Sequence, residues 1–284
     1  MNSLPDLDAA IDQWFLEDIG SGDHTTLSTI PEHAAGTAKL LVKEDGILAG
    51  ARVASRIFQR FDPEIRYDLF MGDGRAIAPG DVVFHVSGRV HSLLQCERLV
   101  LNVMQRMSGI ATTTRAYVDL LQGTDTKILD TRKTTPGLRQ LEKEAVRLGG
   151  GVNHRFGLYD MIMIKDNHID FAGGIREAIS GTRTYLEQKQ LDLEIVVEAR
   201  SMEDIEAILS MGGIRRILLD NFSVAQTREA VTWINKRVET ESSGGITRDT
   251  IRDYAECGVD YISVGALTHQ IHSLDLSLKA DFQT

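Results

Sequence analysis

The sequence has little cysteine and no long apolar run. Its two cysteines, Cys96 and Cys257, form no Cys-x-x-Cys motif, so we expect two buried free thiols rather than a disulfide, a metal site or a nucleophile. No stretch of about 18 apolar residues occurs, which excludes a membrane-spanning helix. Residues 1–7 carry acids and no apolar core, so we expect a cytosolic protein without an export signal.

Basic residues are also in deficit. The 31 Lys and Arg residues are outnumbered by 41 Asp and Glu, for a formal net charge of −10, which argues against binding nucleic acid through a basic surface and favours a small partner. The sequence contains no Walker loop, G-x-G-x-x-G, H-E-x-x-H or serine nucleophile elbow. Its 284 residues, 42% hydrophobic and 25% charged, are enough for one large or two modest globular domains.

The first hundred residues predict a small mixed domain. A helical spacing of apolar residues runs from Leu4 to Phe15 and ends at Gly20. Three β-like stretches follow, at Ala38–Val42, Ile65–Phe70 and Val82–Val86. Residues 93–121 then show the apolar spacing of one long helix, or of two helices broken near Ser108 and Gly109.

Beyond residue 125, short apolar runs alternate with helical segments. The runs are Lys127–Asp130, Met161–Ile164, Glu194–Val197, Arg216–Leu219, a weak one at Glu239–Ser242, and Tyr261–Val264. Repeated βα units predict a parallel barrel or a doubly wound sheet. Six strands are fewer than the eight of a full barrel, so we expect incomplete closure.

Polar and charged residues follow four of these runs directly. They are Thr131, Arg132 and Lys133 after the first run, Lys165, Asp166, Asn167 and His168 after the second, Glu198 after the third, and Asp220 and Asn221 after the fourth. Any one of them could simply mark where a strand meets water. Together they predict an active-site rim, because the carboxyl ends of barrel strands meet at one face.

The signs of these charges separate along the chain. Residues 132–168 hold seven Lys or Arg and four acids, a basic island that predicts a pocket for a small polyanion. We expect Glu142 and Lys143 in this island to be ordinary helix surface. Glu198 and Asp220 would suit Mg²⁺ or sugar hydroxyls. Residues 242–245, Ser-Ser-Gly-Gly before a helix expected near Thr247, could hold a phosphate or form a plain turn.

Several of these segments together resemble the quinolinate phosphoribosyltransferase family. The segments are 130–139 (DTRKTTPGLR), 141–143 (LEK), 149–155 (GGGVNHR) and 164–168 (IKDNH), with 17–26 (EDIGSGDHTT), 97–98 (ER), 101–102 (LN), 241–245 (ESSGG) and 264–266 (VGA). The resemblance implies the type II phosphoribosyltransferase fold, an N-terminal α/β sandwich over residues 1–112 and an open, TIM-like βα barrel over 113–269. Residues 270–284 would pack back on the sandwich.

The resemblance also implies a reaction and a set of site residues. The reaction joins quinolinate to phosphoribosyl pyrophosphate and releases CO₂ and pyrophosphate, with Mg²⁺ as cofactor. The implied quinolinate set is Arg132, His154, Arg155 and Lys165, with Arg98 donated by the neighbouring subunit of a homodimer or hexamer. The implied phosphoribosyl pyrophosphate and Mg²⁺ set is Lys133, Glu198 and Asp220, with Ser243, Gly244 and Gly265 near a phosphate. Lys133, Lys165, Glu198 and Asp220 are the implied catalytic residues.

Two other functions fit the same residues. One is a phosphoribosyltransferase that acts on another anionic heterocycle, which an assay of quinolinate against nicotinate would separate. The other is a degenerate barrel that only binds a phosphorylated ligand. A protein of that kind would be expected to lack Lys133, Glu198 or Asp220, and all three are present.

Overall fold

The computed structural model describes residues 7–281, which fold as two compact units. The first unit comprises the described residues up to Arg115, Thr134–Gly150 and the residues from Leu267 onward. The second comprises Ala116–Lys133 and Gly151–Ala266. The first unit is therefore assembled from three separate segments of the chain. The predicted start of the first helix, at Leu4, lies outside the described residues.

Helices and strands follow one another along the whole described chain. The first half contains α1 (Leu7–Ile19), α2 (His24–Thr29), β1 (Ala35–Val42), β2 (Gly46–Ile47), α3 (Ala51–Phe61), β3 (Arg66–Leu69), β4 (Ala76–Ile77), β5 (Val82–Arg89) and α4 (Val90–Leu120). The second half contains β6 (Lys127–Leu129), α5 (Arg139–Leu148), β7 (Ile162–Ile164), α6 (Asp166–Ala172), α7 (Ile175–Lys189), β8 (Ile195–Ala199), α8 (Met202–Met211), β9 (Arg216–Asp220), α9 (Val224–Ile234), β10 (Glu239–Ser243), α10 (Ile251–Ala255), β11 (Tyr261–Ser263), α11 (Ala266–His269) and β12 (Leu276–Ala280).

The first unit is built on a four-stranded antiparallel sheet in the order β12-β1-β5-β3. Alternate residues of β1, among them Leu40 and Val42, are buried, as expected for a sheet with one face on the core. Leu40 pairs with Leu278 of β12, so the end of the described chain completes the sheet that its beginning starts. The three predicted β-like stretches correspond to β1, β3 and β5.

Helix α3 supplies an apolar face to the core of this unit. Its residues Ala54, Ile57 and Phe58 recur at helical spacing and are fully buried. The ring of Phe58 lies edge-on to Phe84 of β5 at a centroid distance of 6.1 Å. The apolar run of α3 was not among the predicted elements, and it becomes visible only as the partner of the sheet.

Helix α4 is continuous over 31 residues, so of the two predicted alternatives the single long helix is the correct one, without a break near Ser108 and Gly109. Gly109 has a different purpose there. A Cβ atom at this position would lie 2.1 Å from the carbonyl oxygen of His272, so only glycine allows that segment to pass so close to the helix. Ser108 stays in the helix and its hydroxyl accepts a hydrogen bond from the Ala49 amide at 3.0 Å.

The second unit contains a six-stranded parallel sheet in the order β6-β11-β10-β9-β8-β7. Each of the six predicted runs coincides with one of its strands. The two end strands are β6 and β7, and the only pairing outside the named strands is a parallel bridge from Leu129 to Val152 among the residues described. The sheet is therefore open between β6 and β7, as the strand count predicted.

Burial explains why these strands were visible in the sequence. All five residues of β8 are buried, because both faces of such a parallel sheet are covered and neither is left to solvent. The helices that follow are capped by their own residues; Ser201 accepts from the Asp204 amide at the start of α8, and Ser223 and Gln226 form a reciprocal cap on α9.

The prediction for the two cysteines is confirmed. Cys96 and Cys257 are free and buried. Within residues 7–281, no helix combines the length and the hydropathy needed to cross a membrane.

Candidate active site

The predicted rim residues lie at the carboxyl ends of the parallel strands. Arg132 and Lys133 follow β6, Lys165 follows β7, Glu198 is next to last in β8, and Asp220 and Ser243 end β9 and β10. Because the strands are parallel, all of these positions fall at the same edge of the sheet.

A pocket of about 320 Å³ opens at this edge, and all of its lining residues belong to the second unit. The lining residues are Thr131, Arg132, Lys133, His154, Arg155, Met163, Lys165, Leu218, Glu241, Ser243 and Ser263. Two arginines, two lysines and a histidine face one acid, Glu241, so the pocket is basic in a protein whose net charge is −10. The structure thus brings six of the predicted site residues together in one cavity.

Arg155 is the buried cation of this pocket, with only 9% of its surface exposed. Burial lowers the pKa of Arg155, the positive charge of Arg132 lowers it further, and the charge of Asp160 works in the opposite direction. One end of the guanidinium is fixed, since it donates to the carbonyl oxygen of Met161 at 3.1 Å. An anion bound in the pocket would relieve the repulsion between the two guanidinium groups.

His154 lies between Arg155 and a buried acid. Its Nε2 is 3.3 Å from Oε2 of Glu241, a carboxylate with 0% exposure, and Glu241 is also paired with Arg216 at 2.9 Å. Burial by itself would raise the pKa of Glu241, but the hydrogen bond and charge of His154 and the charge of Arg216 outweigh it and keep that pKa below its ordinary value. Glu241 therefore remains ionised in the interior.

Two further acids, Glu198 and Asp220, lie on the neighbouring strands β8 and β9. Glu198 is 5% exposed, and burial first and the charge of Asp220 second raise its pKa, while Lys165 and the amide of Asp166 partly offset the increase. The Asp166 amide donates to Glu198 at 3.4 Å, and the side chain of Asn221 donates to Asp220 at 2.6 Å. Mutual repulsion between the acids is the electrostatic setting that a cation would stabilise.

The turn after β10 is shaped by glycine. Gly244 has φ +96°, and a Cβ atom there would lie 2.2 Å from Oδ1 of Asn221. The backbone amide of Asn221 donates to the carbonyl oxygen of Ser243 at 2.9 Å. The expectation of a helix starting near Thr247 is wrong, because α10 begins at Ile251 and has only five residues. The backbone of the turn, rather than an adjoining helix, is what this segment offers a ligand.

Five predicted site residues do not line the pocket, namely Arg98, Glu198, Asp220, Gly244 and Gly265. Arg98 is an exposed residue of α4 in the first unit, and Gly265 follows β11 without lining the cavity. The expectation that Glu142 and Lys143 are ordinary helix surface is wrong, because each is only 1% exposed. Glu142 accepts from Arg106 at 2.6 Å within the first unit, so its burial is compensated by a charge partner.

Three supporting residues were not assigned any role from the sequence. Asp130 accepts the backbone amide of His154 at 2.8 Å, and Glu241 and Arg216 form the buried pair behind the His154 ring. Glu241 and Arg216 could have been noticed in the sequence as charged residues inside predicted strands. A charge in a strand that is buried on both faces requires a partner on a neighbouring strand. Which partner it has depends on strand order, which the sequence does not show.

Comparison with known proteins agrees with this geometry. The family model described as the C-terminal domain of quinolinate phosphoribosyl transferase matches residues 110–279, and the N-terminal domain model matches residues 23–108. The chain is 44% identical to the chloroplastic nicotinate-nucleotide pyrophosphorylase [carboxylating] of Arabidopsis thaliana, over 97% of this chain and 83% of that protein.

A bacterial relative and a solved structure are similar over nearly their whole length. The probable nicotinate-nucleotide pyrophosphorylase [carboxylating] of Bacillus subtilis is 43% identical, over 98% of this chain and 94% of that protein. The crystal structure of NadC from Streptococcus pyogenes has a TM-score of 0.92 and 40% identity, covering 99% of this chain and 100% of the other. The resemblance found in the sequence is confirmed, and the chain belongs to the quinolinate phosphoribosyltransferase family.

Proposed function

We propose that this chain transfers the phosphoribosyl group of phosphoribosyl pyrophosphate to quinolinate, with decarboxylation. The products are nicotinate mononucleotide, CO₂ and pyrophosphate. The observation that carries this proposal is the basic pocket at the carboxyl edge of the parallel sheet, lined by Arg132, Lys133, Arg155 and Lys165. The names of the relatives describe the same reaction.

The pocket suits a ligand with two adjacent carboxylates. Quinolinate has two such groups on neighbouring ring carbons, and desolvating them requires several cationic donors. Hydrogen bonds to charged groups contribute about 1.5–3 kcal/mol each, and Arg132, Arg155 and Lys165 supply them from three separate strand ends. The repulsion that lowers the pKa of Arg155 is relieved when the dianion is bound.

The acids on β8 and β9 suit the other substrate. Within residues 7–281, no group of three or more His, Cys, Asp or Glu side chains is arranged to hold a metal ion. Mg²⁺ commonly keeps several waters and uses one or two carboxylates together with substrate phosphates. The mutual repulsion of Glu198 and Asp220 fits that donor set, and these two residues would hold Mg²⁺. When bound, Mg²⁺ would neutralise charge on the pyrophosphate.

The remaining groups would hold the phosphates and the ribose. Lys133 lies beside Arg132 in the pocket and would pair with the pyrophosphate. Ser243, the turn at Gly244 and Gly265 would hold the terminal phosphate through hydroxyl and backbone N–H groups. Glu198 and Asp220 also stabilise the positive charge that develops on the ribose as pyrophosphate leaves.

The chemistry needs no organic cofactor. The pyridine nitrogen of quinolinate forms a bond to C1 of the ribose while the bond from C1 to pyrophosphate breaks. The ring nitrogen then carries a positive charge, which stabilises the electron pair left on the adjacent ring carbon when its carboxylate leaves as CO₂. A proton from water replaces that carboxylate. The residues of the chain bind both substrates, orient them and compensate the charges.

A substrate comparison tests the proposal. Nicotinate has one carboxylate, so binding it would leave at least one basic group of the pocket unpaired, and such sites reject the incomplete analogue by a factor of about 10⁴. We expect turnover with quinolinate and very poor turnover with nicotinate, each measured with phosphoribosyl pyrophosphate and Mg²⁺ by release of pyrophosphate. Comparable turnover of nicotinate would show that the second carboxylate is not recognised.

We further propose that the site is completed between subunits of a homodimer, which could assemble into a hexamer. Arg98 is exposed on α4 and is not among the residues that line the pocket, which supports a role in a neighbouring molecule. The cytosolic location stays a prediction.

A further inference from the structure

Asn221, the residue after β9, has a backbone conformation that few side chains adopt. Its φ is +55°, in the left-handed region, which asparagine tolerates better than most residues other than glycine. Backbone strain of this kind is concentrated at functional sites, where the surrounding structure holds it in place. The contacts that Asn221 makes in this conformation therefore indicate what the conformation serves.

The backbone of Asn221 joins the ends of two strands. Asp220, the last residue of β9, pairs with Ser243, the last residue of β10. The amide of Asn221 donates to the carbonyl oxygen of Ser243 at 2.9 Å, so the parallel ladder continues one residue beyond β9. On the other strand, Gly244 comes next. Asn221 thus adjoins both the carboxylate proposed for Mg²⁺ and the ribose, and the turn proposed for the terminal phosphate.

The side chain of Asn221 contacts both of these groups. Its Nδ2 donates to Oδ2 of Asp220 at 2.6 Å. A carboxylate can only accept hydrogen bonds, so the NH₂ end of the amide has to face Asp220 and the carbonyl oxygen Oδ1 points elsewhere. A Cβ atom added to Gly244 would lie 2.2 Å from this Oδ1. One amide group therefore fixes the rotation of the Asp220 carboxylate and packs against the turn at Gly244.

The substrate of the proposed function needs these two groups at a defined spacing. Phosphoribosyl pyrophosphate carries a pyrophosphate on C1 of a ribose ring and a phosphate on C5. Under the proposed function, Asp220 serves the first end of the ring and the turn at Gly244 serves the second. Both ends can be bound at once only if the protein holds its two groups at the spacing that the sugar sets.

Building on the proposed function, we propose that Asn221 is a positioning residue for phosphoribosyl pyrophosphate. It orients the Asp220 carboxylate and shapes the turn at Gly244, so that the ribose and its C5 phosphate are bound together. Arg132 and Lys165, proposed for quinolinate, follow other strands, β6 and β7. The effect of Asn221 should therefore be confined to one of the two substrates.

The variant Asn221→Gly separates this role from a purely structural one. Glycine readily adopts a positive φ, so the backbone can keep its conformation while the amide side chain is lost. We expect little change in Tm and an unchanged KM for quinolinate. The KM for phosphoribosyl pyrophosphate should rise about ten- to a hundredfold, the range seen when a partner that orients a metal-ligating group is removed. Calorimetric titration with phosphoribosyl pyrophosphate, with and without Mg²⁺ and without quinolinate, should show a matching loss of affinity.

Asn235→Gly is the matched control. Asn235 has φ +47° at the C-cap of α9, is exposed and does not line the pocket, so the same substitution is made in the same backbone region. It should leave the Tm and both KM values unchanged. A wild-type KM for phosphoribosyl pyrophosphate in Asn221→Gly, or an equal rise of both KM values, would overturn the proposal.

A double-mutant cycle tests the contact between Asn221 and the turn without reference to activity. Gly244→Ala should lower the Tm, because its Cβ would meet Oδ1 of Asn221 and because alanine is strained at φ +96°. In an Asn221→Gly background the first cost disappears and the second remains, so the loss of Tm should be smaller. Strictly additive losses would overturn the proposal.

The wild type separates the two levels of inference. If it does not turn over quinolinate with phosphoribosyl pyrophosphate, the proposed function fails, and the role of Asn221 toward this substrate fails with it. If the wild type is active and Asn221→Gly has the same KM values, only the inference about Asn221 fails.

Discussion

Burial lowers the pKa of Arg155 and the positive charge of Arg132 lowers it further, an arrangement that is unfavourable in the free protein. Such strain is reasonable where a ligand of opposite charge removes it, because binding energy is then largest for the ligand that neutralises both groups. At the scale of single residues, the pocket is thus prepared for a dianion.

The first prediction concerns the shape of the Arg132 side chain. A guanidinium presents a planar, bidentate fork to a carboxylate, whereas an ammonium is a point charge, so we expect Arg132→Lys to lose about 2–4 kcal/mol of transition-state stabilisation. The measurement is kcat/KM for quinolinate. Arg176→Lys, at an exposed position on α7, is the matched control and should change nothing. An unchanged kcat/KM for Arg132→Lys would make Arg132 a surface charge at a strand end.

The second prediction follows from the raised pKa of Glu198. An acid whose pKa is higher folded than unfolded releases its proton less readily in the native state, so its ionisation destabilises the fold as the pH rises through that range. Glu198→Gln removes this cost. We expect a higher Tm than wild type at pH 7.5, a difference that shrinks at a pH below both pKa values, and loss of activity.

The control for this prediction is Glu206→Gln on α8, where the glutamate is exposed. It should leave both Tm and activity unchanged. Thermal unfolding of the three proteins at pH 7.5 and pH 4 measures the differences. A lower Tm for Glu198→Gln at pH 7.5 would mean that Glu198 stabilises the fold and that its burial and the charge of Asp220 do not outweigh its favourable contacts.

At the scale of elements, the strands of the second unit were predictable and one feature of the long helix was not. Strands of a sheet buried on both faces are usually rich in apolar residues, so runs such as Glu194–Val197 mark them in the sequence. A glycine such as Gly109 can have a local role, to break a helix, or a non-local role, to let another segment of the chain approach closely. The sequence shows only the local role. The structure shows that the non-local one applies, because the carbonyl oxygen of His272 lies against Gly109.

The third prediction compares two glycines within helices. Alanine normally stabilises a helix interior by about 0.5–1 kcal/mol relative to glycine. We expect that gain for Gly181→Ala in α7, where an added Cβ has open space. Gly109→Ala in α4 should instead destabilise the fold, because the new Cβ would lie 2.1 Å from a backbone oxygen. Urea unfolding of both variants gives the two signs, and a stabilised Gly109→Ala would refute the close-approach argument.

At the scale of the whole molecule, the described chain does not place every predicted site residue in one pocket. The strand-end residues that line it could be predicted, because strand order does not alter the edge at which parallel strands end. The buried pair of Arg216 and Glu241 could not, since it exists only because β9 and β10 are neighbours. Arg98 belongs to the first unit, and its predicted role requires a second copy of the chain.

The final prediction tests that role by mixing two inactive variants. In a symmetric dimer with shared sites, each site combines the pocket of one chain with Arg98 of the other. When Arg98→Ala is mixed with Lys133→Ala, a mixed dimer has one site with an intact pocket and an intact Arg98, and one site that lacks both. Random exchange makes about half of the dimers mixed, so roughly a quarter of wild-type activity should return.

The variants are unfolded and refolded together so that subunits exchange, and pyrophosphate release is measured. A mixture of Lys133→Ala with Lys165→Ala is the matched control: both changes lie in the same pocket, so every site of every dimer keeps one defect and no activity should return. Recovery in the first mixture alone assigns Arg98 to the neighbouring subunit's site. If the first mixture stays as inactive as its components although exchange is verified, Arg98 acts within its own chain or has no part in the reaction.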